Sequence, residues 1–354
     1  MFYRENGQFR SSYREDQQIF PIRQDRVFMT GLAAFAFLVV PFVTSDYVFL
    51  SLLIPFLILT LAATGLNLLV GYCGQISIGH AAFMAVGAYS AYNLAVRVPE
   101  LNLVVVFLIA GLIAAVVGIL FGVPSLRIKG LYLAVATLAA QFFADWVFAR
   151  VRWLTNYSPS GSVSAPPVEI FGWSVDTPAE KYVFLLALLV VFTLIAKNLV
   201  RGHLGREWMA IRDMDVAAEV IGIRPVYAKL TAFGVSAFYC GVAGALWGFV
   251  HLGSWEPLAF NLNLSLNLLF MVIIGGMGSL LGSYLGAAFI VIVPILLNQV
   301  PAWLGVPIST AMASHLEFMI FGALIVFFLI AEPHGLARLW AIGKEKLRLW
   351  PFPH

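Results

Sequence analysis

The chain has 354 residues, of which 61% are hydrophobic and only 11% charged, and its mean hydropathy is +0.91. A water-soluble domain gives about a quarter of its residues to charge, so an aqueous fold of ordinary size is excluded and the solvent must be lipid. The net charge of +3 gives no sign of a nucleic-acid partner, and the two cysteines, Cys73 and Cys240, lie in or beside apolar stretches without metal-ligand spacing.

The N-terminal tail, residues 1–26, is polar and holds five arginines against four acids. It is too long and too mixed for a cleaved secretory signal. Apolar stretches follow at 27–44, 47–70, 79–96, 101–123, 131–149, 181–200, 229–250, 265–282, 284–300 and 317–331. A bilayer crossing takes about 20 apolar residues. The fold class is therefore all-α and polytopic, with about ten transmembrane or re-entrant helices in a membrane domain over 27–335 and a tail over 336–354. Glycine and proline interrupt several stretches, so two of them are open to a re-entrant reading.

Lysine and arginine stay preferentially on the cytoplasmic side. With both termini inside, inner segments collect 17 of the 21 basic residues: the N-tail, Arg127 and Lys129, the run from Lys197 to Lys229, and the C-tail. The opposite orientation inverts that ratio. Residues 201–225 are then cytoplasmic, and the Ser-, Gly- and Pro-rich loop 150–180 is periplasmic. A second outer loop, "HLGSWEPLAFNLN" (251–263), has aromatics suited to the interface. Asn267 and His315 are also expected near the outer interface.

Small residues recur at helix-packing intervals: Ser236, Cys240, Gly244 and Gly248 in one run, Gly278, Gly282 and Gly286 in another. Such stripes let backbones approach closely where lipid offers no hydrophobic drive; breaks that line a pathway are the other reading. No phosphate-cradling G-x-x-x-x-G-K-[ST] is present, and neither H-E-x-x-H nor G-x-S-x-G occurs. The carboxylates Asp46, Asp145, Glu317 and Glu332 fall near span ends, so the bundle centre is poor in the charges that ion-driven carriers use. The energy source is expected on another polypeptide. A self-sufficient carrier or channel is the competing reading, and a membrane enzyme lacks a convergent set of chemistry-bearing side chains.

One segment stands apart: "GREWMAIRDMDVAAEVIGIR" (205–224). Nothing in it prohibits a helix from Gly205 to Ile221, and Gly222 is placed to end it in the left-handed region. Trp208, Ile211, Ala218 and Ile221 can share a face. Such a helix suits either the headgroup layer or a groove on a soluble partner. Its acids, Glu207, Asp213, Asp215 and Glu219, oppose an anionic leaflet and favour the groove.

"A-A-x-x-x-G", here Ala217, Ala218 and Gly222, resembles the cytoplasmic docking motif of ABC importer permeases, with Val216 in place of the family's leading glutamate. "GLNLLVGYCGQISIGHAAFMAVGAY" (65–89), "GLYLAVATLAAQF" (130–142), "KLTAFGVSAFYCGVAGALWG" (229–248), "MVIIGGMGSLLGSYLGAAF" (271–289) and "EPHGLARLW" (332–340) resemble, in order, the Liv-type branched-chain amino acid permeases, M-subunit-like, and the related urea permeases are similar. His334 stands where that family commonly has arginine. The resemblance, over about residues 45 to 340, implies a multi-pass subunit of the bacterial inner membrane that imports a small polar solute. Branched-chain or other hydrophobic amino acids lead; urea, short amides and aromatic acids follow. It implies a sister permease subunit, two cytoplasmic ATPase subunits that bind ATP and Mg, a periplasmic substrate-binding protein, and no cofactor or metal on this chain. It makes 201–225 the coupling helix, with Arg206, Trp208, Ile211, Arg212, Ala217, Ala218 and Gly222 at the ATPase contact.

Within the membrane, Asn67, Gln75, Ser77 and His80, together with Thr137 and Gln141 four residues apart, are candidates for a pathway lining or gate. Unsatisfied in hydrocarbon each costs several kcal/mol, so each faces protein or water. Interhelical hydrogen bonds that hold a broken helix are the alternative, and His80 has no neighbour with which to bind a metal.

Overall fold

The computed structural model describes residues 11–12, 23–128, 130–158, 161–170, 172–303, 310–331 and 334–349. Most of the N-terminal tail, Lys129 and Glu332 lie outside them. The principal helices are α1 (Arg23–Leu38), α2 (Ile54–Asn67), α3 (His80–Arg97), α4 (Leu103–Gly122), α5 (Leu131–Arg150), α6 (Pro178–Arg201), α7 (His203–Val220), α8 (Pro225–Leu246), α9 (Leu262–Gly275), α10 (Leu280–Trp303), α11 (Thr310–Ala331) and α12 (Gly335–Leu349). Short ribbons join the connecting segments: β1 (Val163–Ser164) pairs antiparallel with β4 (Ser254–Trp255), and β2 (Glu169–Ile170) with β3 (Trp173–Ser174).

Each of the ten apolar stretches coincides with a helix, but only eight helices among the described residues are long and apolar enough to cross a bilayer. α3 has the length and too many polar side chains, and its neighbours bury most of them. α11 holds a shorter apolar run, Met319–Phe328. The span read as 265–282 ends at Gly275, because Gly276 (φ +120°) and Gly278 (φ +75°) turn the chain before α10. The described part of the C-terminal tail forms α12, docked against α9 and α10.

α8 is the centre of the bundle, with 83% of its span buried, whereas the α1 span is wholly on the outside. α8 packs on α4, α3 and α2, while α9 and α10 pack together and onto α2. Backbone contact explains the arrangement. A Cβ at Gly244 would strike the Met84 carbonyl of α3, and one at Gly87 would strike that of Gly241. With no hydrophobic drive inside lipid, such close approach supplies the dispersion contacts that hold helices together.

The expected stripe on α8 faces α2 and α3. Ser236 and Cys240 lie beside Gly65, and the Cys240 thiol is 3.5 Å from the Ala62 carbonyl. Gly248 departs from the stripe and seats the Trp255 indole, which lies 3.1 Å from where its Cβ would be. In the second stripe Gly282 and Gly286 of α10 meet Gly275 and Met271 of α9. Gly278 sits in the turn against Gly71, because its left-handed φ removes it from any helix face.

Among the described residues, three π-helical turns interrupt the spans, at Phe49–Leu53, Leu68–Tyr72 and Trp247–Leu252. Such wide turns recur at functional sites because they loosen the backbone ladder locally. The loop 251–263, expected on the outer side, does not present its aromatics to an interface. Trp255 and Phe260 are buried, and only Leu258 among its large apolar side chains is strongly exposed.

Candidate functional site: a polar seam and a clamped helix

A helix start leaves backbone N–H groups without intrahelical partners, and α3 begins at His80 with no side-chain cap of its own. Other helices fill the need. Ile78 N–H donates to Thr137 Oγ1 of α5 (3.0 Å), Ala81 N–H to Ser265 Oγ of α9 (2.8 Å), and Ala82 N–H to Gln141 Oε1 of α5 (2.7 Å). Gln141 uses its whole amide. Its oxygen also accepts from Ser265 Oγ (3.0 Å), and Nε2 donates to the Phe260 carbonyl and to Asp145 Oδ1, both at 2.9 Å. The His80 ring is bracketed by Ser77 Oγ (2.9 Å from Nδ1) and Ser236 Oγ (2.8 Å from Nε2).

The structure brings Ser77, His80, Thr137 and Gln141 together, and all are buried. They saturate one another and the α3 start instead of lining open space. The seam ties α3, α5, α8 and α9 in this state. Ser236, read only as a packing residue, and Ser265 both belong to it. Each is a serine inside an apolar span, which is the signal that could have found them.

A second knot lies at the α9–α10 turn, past the far end of α9 from Ser265. Asn67 Nδ2 donates to the Ser279 carbonyl (2.8 Å) and to Ser283 Oγ (3.0 Å), while its oxygen accepts from Gly278 N–H (2.9 Å). The end of α2 is thus laced to the α9–α10 turn. Gln75 is half-buried and does not join this knot. With Gly74, Arg212, Asp213, Asp215 and Lys229 it borders a cavity of about 310 Å³. Lys229 is 3% exposed and was not singled out from the sequence.

α7 sits over that cavity and is not one straight helix. Met214 (φ −162°, ψ 93°) breaks it into limbs at 203–213 and 215–220. The first limb is locked to its own chain. Trp208 and Ile211 are buried, and Trp208 Nε1 donates to Thr231 Oγ1 of α8 (3.1 Å). Both side chains therefore face the bundle of their own chain, not its surface. Arg212 Nη1 donates to the Gly71 carbonyl at the end of the Leu68–Tyr72 π-turn (3.0 Å) and pairs with Asp213 (2.9 Å). Its stem passes Gly74, where a Cβ would be 2.9 Å from the Arg212 Cγ.

The second limb is open. Ala218 is buried, but Ala217 is exposed, and Met214 (67%), Val216 (67%), Val220 (83%) and Ile221 (76%) present apolar surface. Ile221 therefore leaves the face expected for it. Gly222 (φ +92°) closes the helix as read from the sequence: its N–H bonds Glu219 O, and Ile223 N–H bonds Ala218 O. That pair of bonds satisfies carbonyls the helix end would strand. Arg206 is exposed on the first limb.

A bundle of apolar helices crossed by a saturated polar seam, with a polar helix clamped across one end, defines a multi-pass membrane protein. Residues 48–329 match the family described as branched-chain amino acid transport system / permease component, and the chain belongs to that family. It is 31% identical over 299 residues to the high-affinity branched-chain amino acid transport system permease protein LivM of Escherichia coli, and 30% identical over 299 residues to that of Salmonella typhimurium. Each alignment covers 77% of this chain and 66% of the relative, so the chain spans just under two thirds of those relatives' length. The autoinducer 2 import system permease protein LsrC of an Enterobacter species is 27% identical over 210 residues, 57% of this chain and 59% of that one. No solved structure matches.

Proposed function

We propose that this chain is the membrane subunit of an ABC importer that moves branched-chain or other hydrophobic amino acids inwards across the bacterial inner membrane. ATP and Mg are bound by separate ATPase subunits, a sister permease completes the pathway, and a periplasmic receptor delivers the solute. In this reading both termini and α7 face the cytoplasm, the orientation that the distribution of basic residues supports. Family membership supports the transport role, and the names of the relatives support the solute class.

The observation that carries the coupling reading is the split character of α7. One limb is bolted to the bundle through Trp208 and Arg212, while the other exposes Met214, Val216, Val220 and Ile221 beside Glu219. A contiguous apolar patch on a polar helix marks an interaction surface, and the acids on either side favour protein over an anionic leaflet. A push on the open limb reaches Gly71 through Arg212. From there Asn67 passes it to Gly278, Ser279 and Ser283, so the α9–α10 turn moves with the end of α2. An ATPase that binds one arrangement of this linkage more tightly shifts the balance of inward- and outward-facing states.

The test replaces Val216 and Val220 together with glutamate. The expected result is loss of ATPase co-purification with the chain still inserted in the membrane. Unchanged co-purification refutes the docking role. Uptake of L-leucine by liposomes that hold this chain alone would refute the importer reading as a whole.

A further inference from the structure

Among the described residues, five buried side-chain polar atoms have no hydrogen-bond partner within the chain, and four of them fall on 89–93 and 251–255. They are Tyr89 Oη, Asn93 Oδ1, His251 Nδ1 and Trp255 Nε1. Buried polar groups in proteins are nearly always paired, and elsewhere in the bundle this chain pairs Gln141, Asn67 and His80 completely. Their concentration in one place needs a physical reason.

Two of the four, Tyr89 and Trp255, belong to one aromatic cluster, and a third, Asn93, adjoins it along α3. The Trp255 ring meets Tyr89 edge-on (centroids 6.3 Å apart), Tyr92 (6.2 Å) and Phe249 (5.7 Å), and Phe148 stacks on Tyr89 at 4.6 Å. Asn93 is one turn along α3 from Tyr89 and holds its amide by donating to the Tyr89 and Leu154 carbonyls, both at 2.8 Å, which leaves its oxygen unused. Tyr89, Asn93 and Trp255 are each more than nine-tenths buried. The floor is Gly248, on the π-helical turn that ends the α8 span, and it bears the indole because it has no side chain. The roof is the β1–β4 ribbon, in which Trp255 pairs with Val163 of the loop 150–180.

We propose that this cluster is a binding station for the solute on the outer half of the membrane domain, and that Trp255 is its cover. The proposal rests on the importer reading above. The unpaired groups specify chemistry. An indole N–H and a phenol O–H donate to a carboxylate, the Asn93 oxygen accepts from an ammonium, and the rings of Tyr92, Phe148 and Phe249 wall an apolar side chain. An α-amino acid with an aliphatic side chain supplies all three parts; urea has no apolar body, and an aromatic acid has no donor. Because Trp255 is carried on β4 and β4 is bonded to β1, lifting the ribbon takes the indole off Gly248 and opens the station towards the outer side.

The test uses the complete importer, with its ATPase and receptor subunits, in proteoliposomes, and follows uptake of radiolabelled L-leucine. Tyr89→Phe and Trp255→Phe each keep an aromatic ring and delete one donor. The double variant is expected to lower Vmax/KM for uptake at least tenfold. Receptor-stimulated ATP hydrolysis should persist, and the melting temperature should hold or rise, since unpaired donors are being removed. Uptake within twofold of wild type overturns the proposal. A fall in melting temperature with uptake retained also overturns it, because the donors would then be serving the fold. If the double variant does not assemble, the two single variants carry the same comparison. Failure of the wild-type importer to take up L-leucine refutes the solute class itself, a result distinct from a silent substitution.

Discussion

Gln141→Met removes the busiest amide in the bundle while nearly preserving its volume and unbranched shape. Four hydrogen bonds are lost: from Ala82 N–H, from Ser265 Oγ, to the Phe260 carbonyl and to Asp145. They do not count equally. Ala82 N–H keeps a second, longer bond to the Gly79 carbonyl (3.2 Å), and Asp145 is only partly buried, so water replaces its loss. The Phe260 carbonyl loses its side-chain partner, and the Ser265 hydroxyl keeps only the bond it accepts from Ala81 N–H. A buried group left unpaired costs about 1–3 kcal/mol, so the substitution should destabilise the subunit by about 3 kcal/mol. For a chain of this size that is a drop of roughly 5 °C or more in melting temperature, measured by intrinsic fluorescence on the purified subunit in detergent. Gln141→Glu keeps the acceptor for Ala82 and Ser265 and should be harmed less in that respect, but it places a second carboxyl beside Asp145. A Met variant that melts within ~1 °C of wild type would refute the claim that this side chain holds the α3 start in place.

Arg212→Ala should separate assembly from coupling. The guanidinium is partly exposed, so its loss should cost less than about 1 kcal/mol of stability, and ATPase co-purification should persist. Solute uptake per ATP hydrolysed should nevertheless fall at least tenfold, and normal stoichiometry in reconstituted vesicles would contradict the linkage from α7 to Gly71. Gly244→Leu should prevent close approach of α8 and α3, since the Met84 backbone occupies the space a side chain needs. Loss of monodisperse protein after extraction is the expected readout, and a normal elution profile would count against backbone contact as the packing principle here.

Periodic and bulk properties were legible without a structure. Apolar length located the helices of the spans, because the bilayer sets how many residues a crossing needs. Gly222 was readable as a helix end because only a residue without Cβ adopts that φ at no steric cost. The polar residues of the spans were readable as a group, since hydrocarbon forbids leaving them alone. Their partners were not. That Thr137 and Gln141 cap α3, and that Ser265 joins them, depends on residues up to 184 positions apart in the chain meeting at one point. The break at Met214 was also hidden, because "AIRDMDVAAEV" has no glycine or proline to announce it; with Trp208 and Arg212 anchoring the first limb, tertiary contacts override local propensity.

By itself the sequence determined the solvent, the order of the apolar segments and the family, since these follow from composition, from segment length and from motifs that are local in the chain. Only the tertiary structure decided which polar side chains saturate one another, which limb of α7 is open, and where unpaired donors gather beneath Trp255. The physical reason is that hydrogen-bond satisfaction in a membrane is a property of pairs of groups on different helices. No single stretch of sequence holds both members of such a pair.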